Sequence, residues 1–201
     1  MTPFINLLLR THDRPAGFKR MLDSIRSQTY QNYRVIVSVD NDRTRDYVIE
    51  NGISDFIYIE KNPSMSYPAD SYFNYMISDV IKGFIWGVDD DDYLPHDRVL
   101  EIIAENIKKD TISIFKMKNP NTIIPGAPYF GKSIEVCHIG TPCFVVPIEI
   151  ARMAEWHGES GSDFRYIKEL SNIIGMDKIY WIDEIVYIVD KPNQRGKGEY
   201  Q

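Results

Sequence analysis

The chain has 201 residues, 43% of them hydrophobic, enough for one domain with a single sizeable core that needs neither disulfides nor a structural metal. A formal charge of -6 disfavours a broad electrostatic grip on nucleic acid, although the segment 191–197 is locally basic. The two cysteines, Cys137 and Cys143, form no CxxC pair and no zinc site, so a reducing, cytoplasmic setting is expected.

In chain order, residues 1–10 hold a short apolar run without a basic leader or small-residue cleavage site. No later run approaches the ~18 apolar residues that span a bilayer, so no transmembrane segment is expected. Apolar, β-branched stretches at 4–9, 33–39, 56–59 and 83–88 are short and nearly continuous, as buried parallel strands require. Helical periodicity separates them. Residues 16–27 place Phe18, Met21, Leu22 and Ile25 on one face; 67–81 repeat Tyr72, Tyr75, Met76 and Val80; 98–108 repeat Val99, Ile102, Ile103 and Ile107. This alternation predicts an α/β fold with a mainly parallel central sheet flanked by helices.

After residue 109 the rhythm changes. Residues 112–117 read as a strand, 119–131 as a loop rich in Pro, Gly and Asn, and 143–146 as a strand. Residues 148–156 and 163–173 read as helices, and 179–189 as a strand pair around Asp183 and Glu184. Without a repeat or linker, the expectation is one domain over 1–201. It would comprise a nucleotide-binding half (1–110), a smaller acceptor-binding half (111–190) and a basic tail (191–201).

Ligands of open parallel sheets bind outside the carboxyl ends of the strands, and the residues there are markedly polar. They are Arg10 to Arg14, Asp40 to Arg43, and the four aspartates Asp89 to Asp92. Four consecutive carboxylates repel one another unless a cation or several donors offset them. Mg²⁺ or Mn²⁺ held by one or two carboxylates plus substrate phosphates is the simplest remedy; a solvated acidic turn before a helix is the plainer alternative. The strand-end position favours the metal. No GxGxxG follows the first strand, and neither GxxxxGK[ST] nor GxSxG occurs, which argues against a Rossmann dehydrogenase, a P-loop ATPase and a serine hydrolase.

Three segments together resemble the inverting, GT-A fold glycosyltransferases of family 2. They are INLLLRTHDRPAGFKRMLDSIRSQTYQNYRVIVSVDN, GFIWGVDDDDYLPHDRVLE and GESGSDFRYIKEL. The resemblance covers residues 4 to about 109 and again 158–170, and its opening motif is the most specific part. It implies a nucleotide-sugar donor, with UDP the first nucleotide to try, a carbohydrate or other hydroxyl acceptor, and Mn²⁺ or Mg²⁺. By position, Thr11 and Arg14 would line the nucleotide pocket, and Asp40, with Asp42 as a second candidate, would meet the base. Asp89 would lie near ribose and metal, Asp90 or Asp91 would coordinate the ion, and Asp163 would be the base that activates the acceptor. His12 and Asp13 depart from the family's commonest Tyr-Asn pair.

Each assignment has a plainer counterpart. Asp40 and Asp42 are good turn residues, and Asp163 or Ser162 could cap a helix. Trp86 and Trp181 read as core, while Trp156 reads equally as core or as a platform for an acceptor sugar. His138 and His157 lack a second His at ligand spacing. Lys191, Arg195 and Lys197 could close on a diphosphate or form an ordinary solvated tail. Two other functions stay open: a nucleotide-sugar-binding protein without turnover, disfavoured by carboxylates at both Asp91 and Asp163, and a DNA-base-modifying transferase, disfavoured by the lack of a basic stripe.

Overall fold

A computed structural model describes residues 2–60 and 68–190. Lys191, Arg195 and Lys197, candidates above for closing on the donor diphosphate, lie outside the described residues. Strand β1 (Ile5–Arg10) is buried along its whole apolar run, as a central strand must be. Its parallel neighbours are β2 (Tyr33–Val39) and β4 (Phe84–Asp89), and β3 (Phe56–Tyr58) pairs parallel with β2. Beyond β4 come β7 (Phe144–Pro147), antiparallel, and β5 (Ile112–Lys118), which also carries the short β6 (Ile123–Ile124). Strand β8 (Ile179–Ile188) runs parallel to β5. One mixed sheet, ordered β3-β2-β1-β4-β7-β5 with β6 and β8 on β5, therefore joins both halves of the chain.

The chain steps from β1 outward through β2 to β3, then returns to the opposite side of β1 as β4. That reversal puts the switch point between the carboxyl ends of β1 and β4, where open sheets form their ligand crevice. The register fixes what meets there: Arg10 lies directly beside Asp89.

Helix α1 (Pro15–Arg26) starts on a proline, whose fixed φ suits a first helical turn, and buries Gly17, Phe18, Met21, Leu22 and Ile25. Gln28 just beyond it is buried: its Oε1 accepts from the Leu100 N–H (3.0 Å) and its amide donates to the His96 carbonyl (2.7 Å). This pins α1 to the start of α4 (Val99–Asn106). Helix α3 (Pro68–Asp79) packs on β1 and β2. In the second half, α5 (Ile148–Ala151) is a single turn, shorter than the expected 148–156, and α6 (Ser162–Ile174) follows.

Two elements depart from the sequence reading. Helix α2 (Asp42–Glu50) occupies a stretch without a marked apolar face, burying only Thr44, Tyr47 and Val48, and is started by Asn41, whose Oδ1 accepts from the Thr44 N–H at 2.8 Å. The expected strand pair at 179–189 is one ten-residue strand. Asp183 and Glu184 do not turn the chain; both are exposed, and Asp183 pairs with Lys116 where the β5–β8 register shifts. Among the described residues, no helix is long and apolar enough to cross a membrane.

Candidate active site at the β1 and β4 strand ends

The four aspartates that end β4 and follow it divide by burial. Asp90 and Asp92 are buried, whereas the side chains of Asp89 and Asp91 retain 28% and 19% exposure. Asp90 is held from beneath: Thr11 Oγ1 donates to its Oδ2 at 2.7 Å, the His12 N–H approaches the same oxygen at 3.3 Å, and Arg14 Nη1 donates to Oδ1 at 2.6 Å. Burial outweighs Arg14 and Thr11 and lifts this carboxyl to about 6. Thr11 also bonds the Tyr47 hydroxyl at 2.6 Å, so the unpredicted helix α2 supports the floor of the site.

Asp92 faces the other way. Its Oδ1 accepts from the Asp190 N–H (3.0 Å) at the end of β8, and burial, with the nearby charges of Asp89 and Asp91, pushes it up to about 8. Tyr187 of β8 accepts from the Asp89 N–H at 2.9 Å, and Tyr93 pairs with Ile188 through two backbone bonds. Arg20 of α1 donates to the Asp91 carbonyl (2.5 Å) and pairs with Asp190 (2.9 Å). The acidic loop is thus clamped between α1 and β8. Gly17 is what permits the close approach, because a Cβ there would lie 2.8 Å from the Asp90 carbonyl oxygen.

Arg10 escaped the sequence reading as a site residue. Its Nε and Nη2 both donate to Asp89 Oδ1 (2.9 and 2.5 Å), its Nη1 pairs with Asp70 in the first turn of α3, and its guanidinium lies 4.7 Å from the Phe73 ring centroid. The strand-end rule points to Arg10; nothing local points to Asp70, sixty residues away. Asp163, second residue of α6, is half-buried, and its Oδ1 accepts from the Phe164 N–H at 2.7 Å. Burial raises its pKa; Asp70 and Asp89 add to the rise, and Arg10 opposes it. These same charges bring Asp163 electrostatically into the group formed by Arg10, Asp70 and Asp89. Gly161, with φ of 74°, occupies the position before α6, and no side chain caps that helix, so Asp163 is not its cap.

The Asp40 carboxylate bonds His12 Nδ1 (2.7 Å), accepts from the Tyr72 hydroxyl (3.2 Å) and from the Asn41 amide (3.1 Å). Asp42 is not part of that group: it is 73% exposed in the first turn of α2 and pairs with Arg45 at 2.7 Å. Trp156 is buried, tilted against Phe73 and stacked on Tyr166 with centroids at 4.6 and 4.5 Å, a core position. Trp86 is core as expected; Trp181 is only half-buried, edge-on to Phe130. His138 lies tilted against Tyr129 and His157 is exposed.

Among the described residues, no three His, Cys, Asp or Glu side chains converge to hold an ion by themselves. The partly exposed pair Asp89 and Asp91 suits the other arrangement, an ion shared between one or two carboxylates and substrate phosphates. Both Arg10 bonds fall on Oδ1 of Asp89, so Oδ2 takes no hydrogen bond among the described residues.

The sequence pattern that defines glycosyl transferase family 2 matches residues 8–135. The chain belongs to that family. Its GT-A fold is shared with TarS from S. aureus (TM-score 0.72, 15% identity, 92% of this chain and 36% of that chain). It is shared also with a mannosyltransferase from Pyrobaculum calidifontis in complex with GDP-Man and Mn²⁺ (0.69, 12%, 98% and 59%). A third similar structure is glucosyl-3-phosphoglycerate synthase from Mycobacterium tuberculosis with Mg²⁺ and UDP (0.65, 12%, 94% and 72%). The family 2 chain thus spans about a third of TarS and three fifths of the mannosyltransferase. No curated protein sequence matches it.

Proposed function

We propose that this family 2 protein transfers a sugar from a nucleotide-sugar donor, a UDP-sugar in the first instance, to an acceptor hydroxyl with inversion and with the help of Mn²⁺ or Mg²⁺. The observation that carries the reading is the placement of two partly exposed carboxylates, Asp89 and Asp91, at the β1–β4 switch point, with Asp163 within electrostatic reach of Asp89. TarS has been crystallised with UDP-GlcNAc, and two other similar structures hold a nucleotide or nucleotide sugar with a divalent ion.

Asp89 and Asp91 would hold the ion together with the donor diphosphate, where its charge offsets that developing on the leaving group. Asp90, with both oxygens engaged by Thr11, His12 and Arg14, supports that pair from below. Thr11 and Arg14 accordingly shape the floor of the donor pocket, and Asp40, presented beside His12 and Tyr72, meets the nucleobase. Asp163 takes the proton of the attacking hydroxyl. Burial raises its pKa, in the direction that makes a carboxylate a stronger base, and attack on the sugar from the side opposite the diphosphate inverts the anomeric centre. The division matches two opposite charges, negative on the leaving group and positive at the sugar carbon.

The test is thermal stabilisation of chelator-treated protein. UDP with Mn²⁺ should raise Tm beyond the sum of the two separate effects, because the phosphates complete the ion's coordination. Equal stabilisation by UDP with and without metal would remove Asp89 and Asp91 from an ion-binding role.

A further inference from the structure

We propose that Tyr187 is a positioning residue of the donor site: its buried hydroxyl, reaching in from β8, fixes the main chain of Asp89 and so sets the carboxylate that meets the ion. The proposal rests on the reading of Asp89 as an ion ligand. Its structural basis is a gap in the sheet. On the β1 side the ladder of β4 runs the whole way to Asp89, opposite Arg10. On the β7 side it stops at Trp86, opposite Val145, because β7 begins at Phe144 and the chain before it is the tight turn Thr141–Cys143. Among the described residues, the end of β4 thus has no strand neighbour on that side.

A main-chain N–H or C=O left unpaired away from water costs about as much as a lost hydrogen bond. Tyr187 takes the missing neighbour's place, from ninety-eight residues further along the chain. Its hydroxyl accepts from the Asp89 N–H at 2.9 Å and donates to the Asp89 carbonyl oxygen at 3.2 Å. One phenol can do both, since it carries a donor and an acceptor, and burial keeps it protonated. The ring is fully buried and edge-on to Trp86, with centroids 6.3 Å apart, so close packing holds the hydroxyl in place. Asp89 is therefore held twice, its main chain by Tyr187 and its Oδ1 by Arg10. Partners of this outer kind orient the ligands of an ion, and their loss typically weakens its binding by about 10- to 100-fold.

The test is Tyr187→Phe, which keeps the ring and removes only the hydroxyl. Calorimetry on the full chain gives the dissociation constant of UDP in chelator and in saturating Mn²⁺, and the ratio of the two is the readout. That ratio should fall by about tenfold or more in the variant, while UDP affinity in chelator is retained. Both proteins are measured in the same osmolyte buffer, which favours the folded state, so that a weakened variant is still read. Amide hydrogen exchange supplies a second measurement: the Asp89 N–H should exchange slowly in the parent and faster in the variant. A lower Tm with the parent's ratio would show a purely structural hydroxyl and overturn the proposal, as would an Asp89 N–H that exchanges equally in both. Failure of the ion reading itself would appear in the parent, as a ratio near one, and would take the proposal with it.

Discussion

Asp92 offers the sharpest quantitative test of the site's electrostatics. The carboxyl is buried at the end of the acidic loop, accepts one backbone hydrogen bond from Asp190, and is pushed up to about 8. In the unfolded chain it titrates near the ordinary value of about 3.9. Between those two values the folded state binds the extra proton, so Asp92 makes unfolding easier as pH rises from about 4 to about 8. The sign is opposite to that of a salt-bridged carboxylate, whose folded pKa is depressed. Each pH unit within the window is worth about 1.4 kcal/mol, so raising pH from 5 to 8 costs on the order of 4 kcal/mol through this residue alone.

Asp92→Asn removes the titration while keeping the side chain's size and an acceptor for the Asp190 N–H. Its stability relative to the parent should therefore climb with pH by up to about 1.4 kcal/mol per unit from pH 5 and level off above about pH 8. The assay is urea unfolding of both proteins at matched pH values in chelator-treated buffer. The difference between the two curves matters, since it cancels groups not coupled to Asp92, such as Asp90, which contributes with the same sign between about 4 and about 6. A difference that stays flat or falls with pH would refute the burial argument for Asp92.

Three further outcomes are expected. Asp91→Asn should lose most of the Mn²⁺-dependent stabilisation by UDP, whereas Asp90→Asn should register in the stability of the free protein, because it takes one of two carboxylate partners from Arg14; calorimetry and urea unfolding separate the two. Gly17→Ala should lower Tm: its helix-propensity gain of about 1 kcal/mol is outweighed by the clash with the Asp90 backbone at 2.8 Å, for which overpacking costs of about 1–3 kcal/mol are typical. Asp163→Asn should keep UDP and Mn²⁺ affinity but slow transfer by a factor on the order of 10² to 10⁴, the contribution of a positioned base, and undiminished transfer would move the base elsewhere.

The parallel half of the fold was legible because each central strand is a continuous apolar run and each flanking helix carries a 3.6-residue apolar stripe. Helix α2 was not, since Asp-Asn-Asp-Arg is good turn chemistry and the same residues serve as its cap and first turn. Strand β8 read as two because Asp183 and Glu184 interrupt its alternation, and an exposed position beside a register shift tolerates them. In the site, the strand-end rule found the right loops. It could not say which way each aspartate points, nor pair Arg10 with Asp70, because both depend on backbone direction and on contacts between distant segments.

The geometry also changes what four consecutive aspartates mean. Read as a string, they demand an external cation. In the folded chain much of that demand is met internally: Arg14 faces Asp90 and Asp91, Arg10 faces Asp89, and Asp92 lowers its own charge by holding a proton to about pH 8. The count of acids is therefore weak support for a metal. What supports one is the alternation, which spends Asp90 and Asp92 on anchoring the loop and turns Asp89 and Asp91 outward at the switch point. Substitutions should sort accordingly: the inward pair should register in stability and its pH dependence, and the outward pair in donor and ion binding. A cluster serving only as a solvated acidic turn would produce neither pattern, because its charges would be screened and its residues interchangeable.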